Sequence, residues 1–169
     1  MLTQATPSCR ILRAAALTLG LACAVPAVSA EWGVNLYGLS YHWERDTARA
    51  NNWDNEFNPG LGVRYTFGEW MHASVFADAG AYYDSGRSTA VYGAAGLLWP
   101  LDRDRRFHLG AALTLFHSDT YNGGDAFVAP IPLFAVRFER VTVNFTHFPK
   151  VSNFNSVNTT AMFLTIPIR

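Results

Sequence analysis

The chain has 169 residues, and its 13 basic and 13 acidic side chains give a formal net charge of zero. This balance argues against a nucleic-acid partner, which would require a basic face. Both cysteines, Cys9 and Cys23, lie within the first 30 residues. Disulfides and thiol chemistry are therefore excluded for the rest of the chain, whose length suits one domain.

The first 30 residues have the three parts of an export signal. Arg10 and Arg13 form a positive n-region, residues 14–25 form a short apolar h-region, and residues 28–30 form a small-residue cleavage site. The h-region is shorter than the ~20 residues of a membrane-spanning helix. We therefore predict a signal peptide over residues 1–30 and an exported domain over residues 31–169, with 11 basic and 13 acidic residues left after the two arginines are removed.

The exported region alternates in hydropathy with a period of two, which is typical of β-strands with two unlike faces. Val75, Ala77 and Ala79, for example, share one face, while Phe76 and Asp78 share the other. Turn-forming sequences separate eight such segments. The predicted strands are residues 34–45, 60–67, 75–85, 89–99, 107–116, 127–138, 141–146 and 157–168.

The connections alternate between long polar loops and tight turns, and aromatic residues recur at strand ends. The long loops are residues 46–57, 84–88, 118–126 and 149–156, and the tight turns lie near residues 68–69, 102–106 and 139–140. This pattern predicts an all-β fold, an eight-stranded antiparallel transmembrane β-barrel of the outer membrane, present as a monomer. A soluble β-sandwich or lipocalin-like barrel is the alternative, and the apolar outer faces disfavour it.

The strand face that would line the lumen carries small and aromatic residues and few charges. Such a lining argues against a water-filled pore, and it suits either an acyl chain or plain interior packing. Because proline cannot donate to a β-ladder, Pro130, Pro132 and Pro149 on neighbouring strands predict a local gap in pairing. A lipid could enter sideways through such a gap, unless the prolines only mark strand ends.

Three polar residues fall at the outer ends of up-going strands. His42 ends the first strand and Asp84 with Ser85 ends the third, and strand parity places His42 and Asp84 on the lumen side. Histidine can act as a general base in acyl transfer. Ser85 is then either a nucleophile or a hydrogen-bond donor to substrate or oxyanion, and Asp84 either orients His42 or polarises the site. The simpler alternative is an interfacial histidine beside a common Asp-Ser-Gly turn.

Ordered segments in both halves of the chain resemble one known family. The segments are residues 36–37 (LY), 41–43 (YHW), 55–56 (NE), 84–85 (DS), 99–101 (WPL), 107–114 (FHLGAALT), 130–133 (PIPL) and 147–149 (HFP). In this order they resemble the lipid A palmitoyltransferase (PagP) family, and the similarity covers nearly all of residues 31–169, although identity is sparse. The chain departs from the family in lacking its amphipathic helix before the first strand and its first-strand proline, where Gly38 stands.

The resemblance implies an outer-membrane acyltransferase that moves a palmitoyl chain from the sn-1 position of a phospholipid to lipid A, without a cofactor. It implies His42, Asp84 and Ser85 as the catalytic residues. It also implies a lateral gate at Pro130 or Pro132 and Pro149, a second gap at Pro59, and a glycine on the lumen floor that measures acyl length. That glycine is predicted to be Gly93, with Gly96 as the competitor.

Two other functions remain open from the sequence. One is a lipid A deacylase or phospholipase in a similar small barrel, and the other is a non-catalytic barrel that binds lipid or has a structural role. The histidines have no metal-ligand spacing, so the sequence predicts no metal.

Overall fold

A computed structural model describes residues 30–151 and 155–168, so the predicted signal peptide lies outside the described residues apart from Ala30. Eight antiparallel strands pair with their chain neighbours, and the last pairs with the first to close a barrel. The predicted all-β, eight-stranded fold is confirmed. The strands are β1 Glu31–His42, β2 Phe57–Trp70, β3 Ala73–Tyr83, β4 Thr89–Pro100, β5 Phe107–His117, β6 Phe127–Arg137, β7 Thr142–Phe148 and β8 Thr159–Ile168.

Long connections gather at one end of the barrel, which we call the loop end, and short turns at the other, the turn end. The long connections carry two short helical segments, α1 (Arg45–Ala50) before β2 and a 3-10 turn (Asn122–Gly124) before β6. The connections alternate in length as predicted, except that the loop-end connection of residues 84–88 is shorter than the turn-end connection of residues 101–106, and α1 was not predicted. No helix in the described part of the chain is long and apolar enough to cross a membrane.

Strand parity separates an inner from an outer face, as the period-two pattern predicts. Phe76 is 1% exposed and packs with Leu98, Leu133 and Phe163 inside the barrel. Leu113, on the outer face, is 62% exposed. The outward positions nevertheless remain apolar around the barrel, so its outer wall is hydrophobic.

A gap in strand pairing lies between β6 and β7 at the loop end. The β6–β7 ladder runs only from Arg137–Thr142 to Leu133–Thr146. Residues 128–132 pair with β5, Pro130 for instance opposite Leu113, but no described residue of β7 continues the ladder beside them. The predicted local gap is therefore confirmed, and prolines occupy both of its borders.

A second irregularity interrupts the ladder between β1 and β2. Tyr37 pairs with Gly60, but Leu39 pairs with Phe57, so the register shifts where Pro59 stands. The second gap predicted at Pro59 is therefore only a register shift, because the ladder continues on both sides of it, and β1 contributes Gly38 there instead of a proline.

A buried polar network crosses the interior beside the apolar cluster, where the Arg64 guanidinium lies 4.3 Å from the centre of the Phe76 ring. Arg64 and Asp78 face each other in the β2–β3 register and form a bidentate pair, with N–O distances of 2.8 and 2.7 Å. Arg64 Nη1 also donates to Asn144 Oδ1 at 3.2 Å, and Asn144 Nδ2 donates to Thr165 Oγ1 at 2.9 Å. The strands β2, β3, β7 and β8 are thus joined through their interior side chains.

Candidate active site

His42 and Ser85 meet at the loop end of the barrel. The last residue of β1 places His42 Nε2 2.9 Å from Ser85 Oγ, which lies in the turn after β3. Only β2 separates these strands, so their loop ends lie close together. Both side chains are buried. A serine hydroxyl within hydrogen-bond distance of an imidazole nitrogen is the arrangement of a nucleophile with its general base.

The carboxylate of Asp84 is committed to its own turn and to the β5–β6 connection. Its Oδ1 accepts from the backbone N–H groups of Gly86 and Ser88 and from Thr120 Oγ1, each at 2.9 Å. Its Oδ2 accepts from Ser118 Oγ. No hydrogen bond joins Asp84 to His42 in the described part of the chain. Asp84 therefore fixes the turn that carries Ser85, and the geometry gives no support to a direct role in orienting His42.

Glu56 approaches the opposite nitrogen of the histidine ring. Glu56 Oε1 lies 3.7 Å from His42 Nδ1, too far for a hydrogen bond, and accepts from the His42 backbone N–H at 3.2 Å. Arg45 Nη2 lies 3.3 Å from both oxygens of this carboxylate. Glu56 was not among the predicted site residues, although it belongs to the Asn-Glu pair in the segments that resemble the PagP family.

Hydrogen bonds hold the β1–β2 connection against the Ser85 turn. Asn55 donates from its backbone to Ser85 O at 3.2 Å and from Nδ2 to Asp84 O at 3.0 Å. The Arg87 guanidinium lies 2.9 Å from Asp54 and lowers the pKa of that carboxyl. These contacts hold the segments that carry Glu56 and Ser85 against each other, although the two residues lie on different connections.

Tyr121 brings a hydroxyl to the site from the β5–β6 connection. Burial, and then the charge of Asp84, raise the pKa of Tyr121 to about 12, while a hydrogen bond with Ser85 acts in the opposite direction. The phenol therefore stays protonated near neutral pH. Beside Ser85 it is a candidate donor to an oxyanion.

An apolar cavity of about 400 Å³ runs down the lumen from Ser85. Its volume lies within the about 300–1,000 Å³ typical of ligand sites. Residues on both borders of the β6–β7 gap line it, so the cavity opens through the barrel wall as well as towards the site. The lining residues on these borders are Pro130, Ile131, Phe148 and Pro149, and the deep ones include Ala94, Ala112, Leu133 and Phe163.

The prediction that Gly93 forms the lumen floor is wrong. Gly93 pairs with Ala79 and with the 56%-exposed Leu115, and therefore lies on the outer face. Gly96 faces inward, where an added Cβ would lie 2.6 Å from the Phe76 ring. Between them, Ala94 faces the cavity. Of the predicted gate prolines, Pro130 and Pro149 line the cavity, whereas Pro59 and Pro132 are exposed and are not among its described lining residues.

Fold and site together define a small closed β-barrel with a buried Ser–His pair at the head of an apolar cavity. No protein-family model matches the chain, and a search of curated proteins finds no match either. Membership of the PagP family therefore stays a prediction. Among the described residues, no three His, Cys, Asp or Glu side chains are grouped as a metal ion would require.

Proposed function

We propose that the protein is an outer-membrane acyltransferase that moves a palmitoyl chain from the sn-1 position of a phospholipid to lipid A. One observation carries the proposal: a single apolar cavity is lined both by the borders of the β6–β7 gap and by Ser85, whose hydroxyl contacts His42. An acyl chain that enters sideways can fill this cavity while its ester remains at Ser85. The chemistry needs no cofactor.

The hydrophobic outer wall supports a membrane location. Large apolar side chains stay exposed around the barrel, an arrangement that is unfavourable in water and favourable in lipid. Exposed aromatics lie at both ends of the strands, as in the interfacial girdles of membrane barrels. They are Trp43, Phe57 and Tyr83 at the loop end, and Trp32, Trp70, Trp99 and Phe107 at the turn end.

In the first half of the proposed reaction, Ser85 Oγ attacks the carbonyl carbon of the phospholipid ester. His42 Nε2 takes the Ser85 proton, and Tyr121 is placed to donate to the developing oxyanion. The bond between the carbonyl carbon and the glycerol oxygen breaks, and His42 returns the proton to that oxygen. The products are a lysophospholipid and a palmitoyl ester of Ser85.

In the second half, a hydroxyl of lipid A gives its proton to His42 and attacks the ester of Ser85. The Ser85–acyl bond breaks, and His42 returns the proton to Ser85 Oγ. Palmitoylated lipid A leaves, and the resting Ser–His pair is restored. The burial of both side chains supports transfer over hydrolysis because it limits the access of competing water.

Purified protein in mixed micelles of dipalmitoyl phospholipid and lipid A tests the proposal. Mass spectrometry should find lipid A heavier by one palmitoyl group and an equal amount of lysophospholipid. Release of free fatty acid without a heavier lipid A would overturn the transferase in favour of the deacylase or phospholipase. No change in any lipid, with the barrel shown to be folded, would favour the non-catalytic alternative.

Enlarging Ala94 should shorten the accepted acyl chain. Ala94 lies deep in the cavity and the adjacent Ala95 is exposed on the outer face, so Ala94→Leu and Ala95→Leu form a matched pair. With donors of graded chain length, Ala94→Leu should lose roughly 10-fold in palmitoyl transfer and prefer a chain shorter by a few methylenes, at about 0.8 kcal/mol per methylene left unburied. Equal chain-length profiles for the two variants would contradict the proposed acyl site.

Closing the β6–β7 gap should block donor entry. If the register of Leu133 with Thr146 continued, Ile131 would face Phe148, so Ile131→Cys with Phe148→Cys can be cross-linked across the gap. No other cysteine lies beyond residue 30. The oxidised protein should lose about 10-fold or more of its activity and regain it with reductant.

The control for the gap cross-link is Val136→Cys with Val143→Cys, a pair that is already aligned on β6 and β7. Cross-linking these positions should leave transfer unchanged, since the strands are joined there in the native barrel. Full activity of the Ile131→Cys, Phe148→Cys double variant after complete cross-linking would rule out this gap as the entry route.

A further inference from the structure

His42 has a buried ring nitrogen without a hydrogen-bond partner. Nε2 faces Ser85, but Nδ1 is enclosed and has no partner among the described residues. A buried polar atom in this state costs free energy, so such atoms are rare unless they serve a function. For Nε2 to accept the Ser85 proton, the neutral ring must carry its own proton on Nδ1, and some group must favour that tautomer.

Three carboxylates lie near the site, and two of them bind groups other than His42. Asp84 is saturated by four donors from its turn and the β5–β6 connection. Asp54 is exposed and is ion-paired with Arg87. Glu56 alone of the three points an oxygen at Nδ1, at 3.7 Å.

We propose that Glu56 is the positioning residue of this site, which selects the Nδ1-protonated tautomer of His42 and stabilises the imidazolium that forms when Ser85 is deprotonated. The inference rests on the proposed function. Glu56 takes no proton itself: the Ser85 proton moves to Nε2, and the Nδ1 proton stays in place. Hydrogen bonds in catalytic sites are often long before substrate binds, and a charge-assisted N–H···O bond settles at about 2.7–2.9 Å.

The charged groups around the ring support this role. Burial is the largest influence on the ring and disfavours its positive form, whereas Glu56 and Asp54 favour that form and Arg45 opposes it. Arg45 also holds both oxygens of Glu56, and the His42 backbone N–H anchors one of them. The carboxylate is thus fixed beside Nδ1 from two directions.

Kinetics of Glu56→Gln test the proposal against a matched control. Loss of the carboxylate should lower kcat by roughly 10²–10³-fold with KM nearly unchanged, because the amide supports the wrong tautomer and cannot offset the imidazolium charge. The acidic limb of the pH profile should move to lower pH, since imidazolium is less stable without Glu56. Glu56→Asp should restore part of kcat.

The control Asp46→Asn removes the same charge from an exposed side chain on α1, which pairs with Arg49 and does not contact His42. Its kcat should stay within about two-fold of the native value, with the pH limb unmoved. Equal losses in Glu56→Gln and Asp46→Asn, or a Glu56→Gln loss confined to KM, would overturn the positioning role.

A second measurement separates failure of this inference from failure of the proposed function. In ¹⁵N imidazole spectra of the native protein, with the signal assigned by its loss in His42→Ala, neutral His42 should be protonated at Nδ1. In Glu56→Gln the Nε2-protonated form should gain population. If the native protein transfers no acyl chain but the tautomer changes as expected, the proposed function fails and the positioning role stands. An unchanged tautomer in Glu56→Gln would overturn the positioning role whatever the activity.

Discussion

Ser85→Ala should abolish palmitoyl transfer, with a fall in kcat of about 10³-fold or more and no loss of the folded barrel. The hydroxyl of Ser85 is the only group within hydrogen-bond distance of His42 Nε2 among the described residues. Its removal takes away the proposed nucleophile and leaves the base without a partner. The expected readout is the lipid A mass profile together with lysophospholipid release. Donor binding should persist because the apolar part of the cavity lining is unchanged.

His42→Ala should cause a similar loss, and the double variant should be no worse than either single one. Residues that act as a unit are strongly non-additive, because removal of one member already disables the step. The matched controls are Ser88→Ala, in the same turn as Ser85, and His117→Ala, exposed at the loop end of β5. Both should keep near-native transfer. More than about a tenth of native activity in Ser85→Ala would rule out the nucleophilic role.

The fold was predictable because hydropathy alternates with a period of two along most strands. In β3, the alternation from Val75 to Asp78 identified the inner face without any tertiary information. The β6–β7 gap was predictable for a similar reason, since the backbone chemistry of Pro130 and Pro149 excludes a continuous ladder. Strand direction placed His42 and Ser85 at the loop end and parity placed His42 on the lumen side, but the choice of both as site residues came mainly from the resemblance to the PagP family.

The sequence could not predict the site features that depend on loops, or those on a strand whose two faces do not differ in hydropathy. Glu56 lies in a connection, where parity assigns no direction, and its position depends on α1 and on contacts with the Ser85 turn. The partners of Asp84 come from the β5–β6 connection, more than 30 residues away. Gly93 was chosen from the resemblance, and the strand itself could not correct the choice, because β4 has small apolar residues on both faces and its hydropathy does not alternate.

The polar network inside the barrel was also not predicted from the hydropathy pattern. The lumen face was predicted to carry few charges, yet Arg64 and Asp78 are both nearly buried there. Their pairing required the β2–β3 register, which sets them directly opposite each other. Loss of either member leaves the other charge buried without its partner, which lowers the stability of the barrel.

Asp78→Leu should destabilise the barrel by about 3–5 kcal/mol because it leaves the Arg64 guanidinium buried without its counter-charge. Arg64→Leu should have a comparable effect by isolating Asp78. Urea unfolding in lipid vesicles, followed by tryptophan fluorescence, measures the change as a lower midpoint at constant slope. As a control, Glu69→Leu breaks the partly exposed pair with Arg105 and should cost at most about 1 kcal/mol.

The double variant Arg64→Leu with Asp78→Leu should be more stable than either single variant, since no buried charge then remains and apolar replacements of similar size often match a buried pair. A double variant as unstable as the sum of the singles would mean that the pair acts through packing and not through charge. Asp78 also lines the apolar cavity, whereas Arg64 lies on its turn-end side. The pair therefore forms a polar floor beneath the proposed acyl site, and the double variant should remain folded but admit longer acyl chains than the native protein.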